Sequence, residues 1–396
     1  MSNTVVSVRD FGAVGDGVND DFAAIQAALD SGAREVIIPF GTYPVSKTLK
    51  VHSNTKVRAD RCAKIILRAK CRLGRGDFLL SNASLDEGNV NITIEGGIWD
   101  GNNTATENAK PDIFDKSGYS GSVLNFYNVK GLTLRSITVA NSTTYYTRIC
   151  RVEDFVIEDI DFVSDEFGHN QDGLHFGGAV RHGKVKNVRA LSSGQTNDDM
   201  VALNADDSVE RVENLDLVRD DIEDITFENI YAENCYTIIR MLSVTAKIRN
   251  IKFKNVYAGY RNYAINGDGA RYCKTPLFSE NEYPLGIGCI ENIEIENFVC
   301  YPVTEAPARI PNGQVNPEHA LHLEGHCDRF KIKNFRLLDP VGSGKMKAHA
   351  LYISKVPGSS VTADGKEYTL VTKEDELLLD SFNNIEINSN LLKSKR

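Results

Sequence analysis

One short pattern of apolar and polar positions keeps returning along this chain. It appears as Val90-Asn91-Ile92-Thr93-Ile94, Val129-Lys130-Gly131-Leu132-Thr133-Leu134 and Val152-Glu153-Asp154-Phe155-Val156-Ile157. It returns as Ile222-Glu223-Asp224-Ile225-Thr226-Phe227, Ile248-Arg249-Asn250-Ile251-Lys252-Phe253 and Ile290-Glu291-Asn292-Ile293-Glu294-Ile295. Cys327 to Ile332 and Phe382 to Ile387 follow the same template. The alternating apolar positions have the period of a strand. Each unit goes on to a polar pair and another apolar residue, as in Glu228-Asn229-Ile230, Lys254-Asn255-Val256 and Glu296-Asn297-Phe298. Copies lie about 23–28 residues apart where they are tightest, the length of one coil of a parallel β-solenoid. An antiparallel sandwich would not repeat one template with the same polar corner. The pattern predicts an all-β chain of stacked coils with inward apolar residues and Asn or Gly at the corners.

Before the repeat, Val8 to Gly17 reads as a strand entering a Gly/Asp turn. Asn19, Asp20 or Asp21 can cap a helix whose apolar residues Phe22, Ile25, Ala28 and Leu29 share one face. Val36-Ile37-Ile38-Pro39 and Gly41 to Val45 follow as short strands. This opening resembles the N-terminal segment of pectin-lyase-like right-handed β-helices, where a helix covers the first coil's open edge. The resemblance implies a single-stranded right-handed parallel β-helix (solenoid) with an N-terminal capping helix and long loops on one face. We expect one β-helix domain over 1–396, with a cap segment at 1–50, rungs at 51–390 and a frayed tail at 391–396. Gly101 to Gly121, Arg261 to Leu285 and Tyr301 to Glu318 interrupt the repeat and read as loops, of the kind that form lids or binding loops.

Composition narrows the function classes. The 396 residues, 41% hydrophobic, suffice for a large core. A net charge of −9 speaks against a nucleic-acid or anionic-membrane partner. It also means that an anionic polymer would need a locally basic cleft. Eight cysteines stand singly with no CxxC, so a zinc ribbon or redox motif is unsupported. Cys150, Cys235 and Cys289 read as small core residues, and the even count leaves disulfides open for an exported protein. The N-terminus has no basic and apolar leader and no stretch reaches transmembrane length. The expected location is cytoplasmic; an exported chain trimmed of its signal would read the same.

The chemistry concentrates between His169 and Asn204. His169-Asn170-Gln171-Asp172-Gly173-Leu174-His175-Phe176 and Asn197-Asp198-Asp199-Met200-Val201-Ala202-Leu203-Asn204 each place aspartate at the mouth of a short apolar strand. The two are about one coil apart, so a solenoid stacks the three carboxyls on its outer wall. Clustered carboxylates repel, and at least one should be raised in pKa. A mixture of protonated and ionised carboxyls suits glycosidic hydrolysis. The plainer reading is that Asp beside Gly or Asn only shapes turns.

With Asn141 to Tyr145 and Cys150 to Ile157 before them, Asn170-Gln171-Asp172-Gly173, Asn197-Asp198-Asp199 and Ile238-Ile239-Arg240-Met241-Leu242 resemble, in order, the motifs of glycoside hydrolase family 28, the polygalacturonase and rhamnogalacturonan hydrolase family. The resemblance implies that Asp198 is the general acid, that Asp172 and Asp199 hold and deprotonate the attacking water, that Arg240 binds substrate, and that the anomeric centre inverts. Two motif positions differ: no histidine lies between Asp199 and Arg240, and Leu242 stands where the family has lysine. His175 should point outward if Leu174 and Phe176 are core, and could compensate. His169 and Asn170, with Tyr145 and Tyr146 as stacking rings, complete the candidate substrate-binding set. His319, His322 and His326 suggest a metal only if other rungs add ligands.

The expected function is an inverting, exo-acting glycoside hydrolase on a pectin-like or other acidic or decorated oligo- or polysaccharide. It needs no cofactor or metal, has a carbohydrate as its partner, and is compatible with a homo-oligomer. Two alternatives share the scaffold. A polysaccharide lyase or uronate epimerase would use the three aspartates for Ca²⁺ and Arg240 as base. A non-catalytic carbohydrate-binding β-helix, as in tailspike-like proteins, would need neither.

Overall fold

The computed structural model describes residues 4–69, 78–105, 122–168, 170–206, 218–271, 278–304, 315–339 and 347–394. Over them the chain winds as a right-handed parallel β-helix. Each strand pairs in parallel with the one a coil further on: Leu124–Ala140 with Thr147–Val163, Val180–Ala190 with Ile222–Leu242, and Ile222–Leu242 with Ile248–Asp268. The repeated template falls in register. Ile222, Ile225 and Phe227 stack under Ile248, Ile251 and Phe253, which stack under Ile290, Ile293 and Ile295. All nine are buried, so the template's apolar positions form one continuous core down the coil axis.

The polar corners have a backbone cause. Asp224, Asn229, Asn250, Asn255, Asn292 and Asn297 all have positive φ, between 53° and 59°. Short polar side chains tolerate this left-handed conformation best after glycine. A single such residue bends a strand without breaking its pairing, so strands of 21 residues turn corners. The corner side chains then bond along the axis. Asn229 Nδ2 donates to Asn187 Oδ1 (2.8 Å), Asn255 to Asn229 (3.0 Å), Asn297 to Asn255 (3.0 Å) and Asn334 to Asn297 (3.0 Å).

At the N-terminal end the helix Phe22–Asp30 buries Ile25, Ala28 and Leu29 over the first coil. Asp21 stands at its N-cap, but its carboxylate accepts from the Val14 and Gly15 amides, 2.6 and 3.0 Å, and so ties down the Gly/Asp turn. The expected strand from Val8 is a 3₁₀ turn, Val8–Phe11, with Ser7 closing a capping box against Asp10.

The C-terminal end departs from the template. Ile385–Ser389 runs antiparallel to Cys327–Leu337 and to Ser359–Ala363. The Asp364-Gly365 turn joins Ser359–Ala363 to Lys366–Leu370 as a hairpin, both turn residues having positive φ. This reversal covers the edge of the last coil, where another parallel rung would expose it. The tail expected to fray forms a short helix, Asn390–Lys393, with Leu392 buried. The expected loop Arg261 to Leu285 begins later, since Ile248–Asp268 carries the strand through Asp268. Among the described residues six cysteines are free, with Cys150 and Cys235 buried and Cys289 half-buried, as small core residues should be.

Candidate active site

The outer wall of one coil face carries the chemistry, and register decides what meets. His175 aligns with Ala202, Ala202 with Arg240, Arg240 with Asn266, and Asn266 with His322. Beside this line, Asp199 aligns with Thr237 and Thr237 with Tyr263. Leu174 and Phe176 are fully buried in the core, so His175 between them points outward. It is not exposed, however. Tyr145 stacks on its ring at 3.8 Å and 13°, and Nδ1 lies 2.6 Å from Asp172 Oδ2.

Asp172, Asp198 and Asp199 come together, with one oxygen of each within 4.8 Å of the others. Turn chemistry holds them there. Asp172 Oδ1 accepts from the Asp199 amide at 3.3 Å, and the Asp199 carbonyl accepts from the Gly173 amide at 2.8 Å. Asn170 turns the chain at φ 57°, and Gln171 Nε2 donates to the Ser142 carbonyl at 2.6 Å. Gly173 must be glycine, since a Cβ there would lie 2.6 Å from the Met200 carbonyl and 2.8 Å from the Phe162 ring.

The electrostatics single out one carboxyl. Burial, and then the charge of Asp198, push Asp199 well above the usual carboxylate range; Arg240 and the Thr237 hydroxyl oppose them. The expected raised carboxyl exists, at Asp199, the more buried member of the Asp198–Asp199 pair. Arg240 belongs to the cluster but is engaged. Its guanidinium lies 2.7 Å from Asp268 Oδ1, with both side chains almost fully buried. An arginine held in a buried ion pair stays protonated, which removes it as a base.

Tyr146, expected beside Tyr145 as a stacking ring, faces the other way. It is fully buried in the core, 4.9 Å from the Phe162 ring, on the turn that leads into the strand Thr147–Val163. It cannot touch a substrate. His169 lies outside the described residues. The suggested histidine group divides: His326 points inward, with Nε2 2.6 Å from the Leu285 carbonyl and Nδ1 2.9 Å from Ser389 Oγ. His319 and His322 stay on the outer wall at a ring distance of 6.2 Å.

Sequence reasoning missed Arg261 and Asp268 because both were read as loop. Arg261 is fully buried and braces the aspartate loop. Nη1 donates to the Gly194 carbonyl (3.0 Å) and the Asn234 carbonyl (2.6 Å), and Nη2 to Asn197 Oδ1 (2.7 Å). Burial lowers it to about 10, opposed in part by Asp198. The aromatic and β-branched residues of Tyr260-Arg261-Asn262-Tyr263-Ala264-Ile265 were the available signal that a strand continues there.

A right-handed coil of stacked parallel strands places the chain in the pectin-lyase-like β-helix class. Within it, the chain belongs to the rhamnogalacturonase A/epimerase, pectate lyase-like family, whose model matches residues 5–261. The preneck appendage protein of Bacillus phage PZA is 39% identical over 98 residues, a quarter of this chain (25%). That match spans only 11% of the appendage protein's length. Among solved structures, the pre-mature gene product 12 of bacteriophage phi29 superposes with a TM-score of 0.61 at 20% identity, over 84% of this chain and 42% of that one. The family 28 exopolygalacturonase of Yersinia enterocolitica superposes with a TM-score of 0.52 at 14% identity, over 90% of this chain and 78% of the enzyme. At these identities the two superpositions speak for a common fold.

Proposed function

We propose that the protein is an inverting glycoside hydrolase of the family 28 type, acting on an acidic or decorated oligo- or polysaccharide. The observation that carries this is a carboxyl raised by burial and by a neighbouring carboxyl, beside a third carboxyl fixed by a histidine. Two carboxyls this close do not both ionise easily, so Asp198 and Asp199 share a proton. In the resting site Asp199 holds it. Asp198, the more open of the two, takes the proton over from Asp199 and delivers it to the leaving oxygen. Asp172 is oriented by His175 and by the Asp199 amide, and takes the proton of the attacking water. The oxygens lie within 4.8 Å of one another, closer than the about 6.5–9.5 Å usual between inverting carboxyls and nearer the about 5–5.5 Å of retaining ones, so the inverting assignment rests on the motif resemblance and not on this spacing. A gap of this size is one that a single water bridges, so we place the nucleophile among the three oxygens. Asp198→Asn should abolish release of reducing ends from the substrate, whereas full activity in that variant would end this assignment.

A lyase or epimerase is the second reading, favoured by the same oxygen cluster, which could hold a divalent cation. It loses its expected base, because Arg240 is committed to Asp268. Loss of activity with chelator and an ultraviolet-absorbing unsaturated product would favour it over hydrolysis.

A further inference from the structure

The line of outward residues does not stop at Arg240. On the C-terminal side it becomes a wall of rings. Tyr263 stacks on His322 at 4.6 Å and 15°, and His322 on Tyr352 at 5.6 Å and 14°. His319 stacks on Tyr352 at 4.8 Å and 15°, and lies 5.8 Å from His349. Register makes this a continuation of the carboxyl site: Thr237 beside Asp199 aligns with Tyr263, and Arg240 leads through Asn266 and His322 to Tyr352. All five rings are half-buried, so each keeps part of its surface open to solvent.

We propose that this wall binds uncharged sugar units of the same glycan chain, one per rung, on the C-terminal side of the carboxyl cluster. The inference rests on the carbohydrate reading above but not on hydrolysis. Rungs repeat about every 4.8 Å, close to the length of one pyranose unit, so a chain laid along the axis meets each rung with the same part of a sugar. The rings stack on one another, so they present their edges outward, with tyrosine hydroxyls and imidazole nitrogens that can pair with sugar hydroxyls. The charge around the wall disfavours a uronate. Glu324 is joined to Lys355 (3.1 Å), Asp380 to Lys347 (2.5 Å), and Glu376 accepts from the Tyr352 hydroxyl (2.7 Å). The local cations are therefore already matched by carboxylates. Burial also keeps His319 and His322 below their usual pKa, so neither offers a positive charge at neutral pH.

The test uses the full chain carrying Asp198→Asn, with affinity measured by calorimetry. The probes are neutral gluco-, galacto-, manno- and xylo-oligosaccharides of two to six units, and oligogalacturonates of the same lengths. At least one neutral series should gain about tenfold in affinity between trimer and hexamer, and Tyr352→Ala should remove that gain. His322→Ala serves as a second variant at the next rung. A gain confined to the galacturonates, a gain that survives both variants, or no binding by any neutral series would overturn the proposal and leave a stack that only stiffens the coil. Wild-type protein that binds a neutral hexamer with this length dependence yet releases no reducing ends from any acidic or decorated polysaccharide would refute hydrolysis and leave the wall's role standing.

Discussion

His175 Nδ1 lies 2.6 Å from Asp172 Oδ2, with the imidazole 1% exposed and roofed by the Tyr145 ring. A surface histidine would gain nothing from such enclosure. Here it fixes one carboxylate oxygen while the Asp199 amide fixes the other. His175→Ala should therefore lower kcat by about a hundredfold, the usual worth of an oriented proton-transfer partner, with unchanged far-ultraviolet circular dichroism. His175→Gln, which can still hydrogen-bond, should recover part of it. Equal losses of fold and activity would assign the pair to stability alone.

Asp199 makes a prediction of opposite sign about stability. Its folded pKa is raised above the unfolded value, so the folded state binds the extra proton. Stability is fully present below the unfolded pKa and is lost as pH rises through the folded one. Asp199→Asn cannot ionise. It should raise the melting temperature at pH 7–8 and leave it near the wild-type value at about pH 4, while eliminating activity. A variant that melts lower at pH 8 would contradict this electrostatic account of the pocket.

Gly173 tests how tightly the aspartate turn is built. A Cβ there would stand 2.6 Å from the Met200 carbonyl of the next rung, which is backbone and cannot swing aside. Gly173→Ala should cost about 1–3 kcal/mol in denaturant unfolding and displace Asp172 enough to depress turnover. Wild-type kinetics in this variant would show that the two rungs are less closely apposed.

Asp206 ties down the turn between Leu242 and Ile248. Fully buried, it accepts from the amides of Val244 (2.6 Å), Ala246 (2.9 Å) and Thr245. Asp206→Ala leaves these donors without their acceptor and should destabilise the chain by about 3 kcal/mol. Asp206→Asn, with one acceptor oxygen, should fall between the two. A cost below about 0.5 kcal/mol for the alanine variant would mean that water replaces the carboxylate.

The coil itself was legible in the sequence because its physics is local and periodic. Ile222, Ile225 and Phe227 announce a strand, and Asp224 and Asn229 announce corners by tolerating positive φ. The turn residues Asp172, Asp198 and Asp199 were legible for the same reason. What escaped depends on register between distant strands. Nothing local shows that Asp268 will reach Arg240, or that Arg261 will brace a loop that starts 67 residues before it. Tyr145 and Tyr146 are indistinguishable as a dipeptide, and only the course of the turn before Thr147 sends one to His175 and the other to Phe162. The C-terminal Phe382 to Ile387 segment keeps the template's composition, but the Asp364-Gly365 hairpin reverses the chain before it arrives.

The most direct test is the anomeric configuration of the first product, followed by proton NMR during the opening minutes of digestion. In the proposed mechanism, a water seated among Asp172, Asp198 and Asp199 attacks from the face opposite the departing sugar. The new reducing end should then appear in the configuration opposite to that of the bond cleaved, before mutarotation mixes the two. A product of retained configuration, or one carrying a ring double bond, would contradict the three-carboxyl water site.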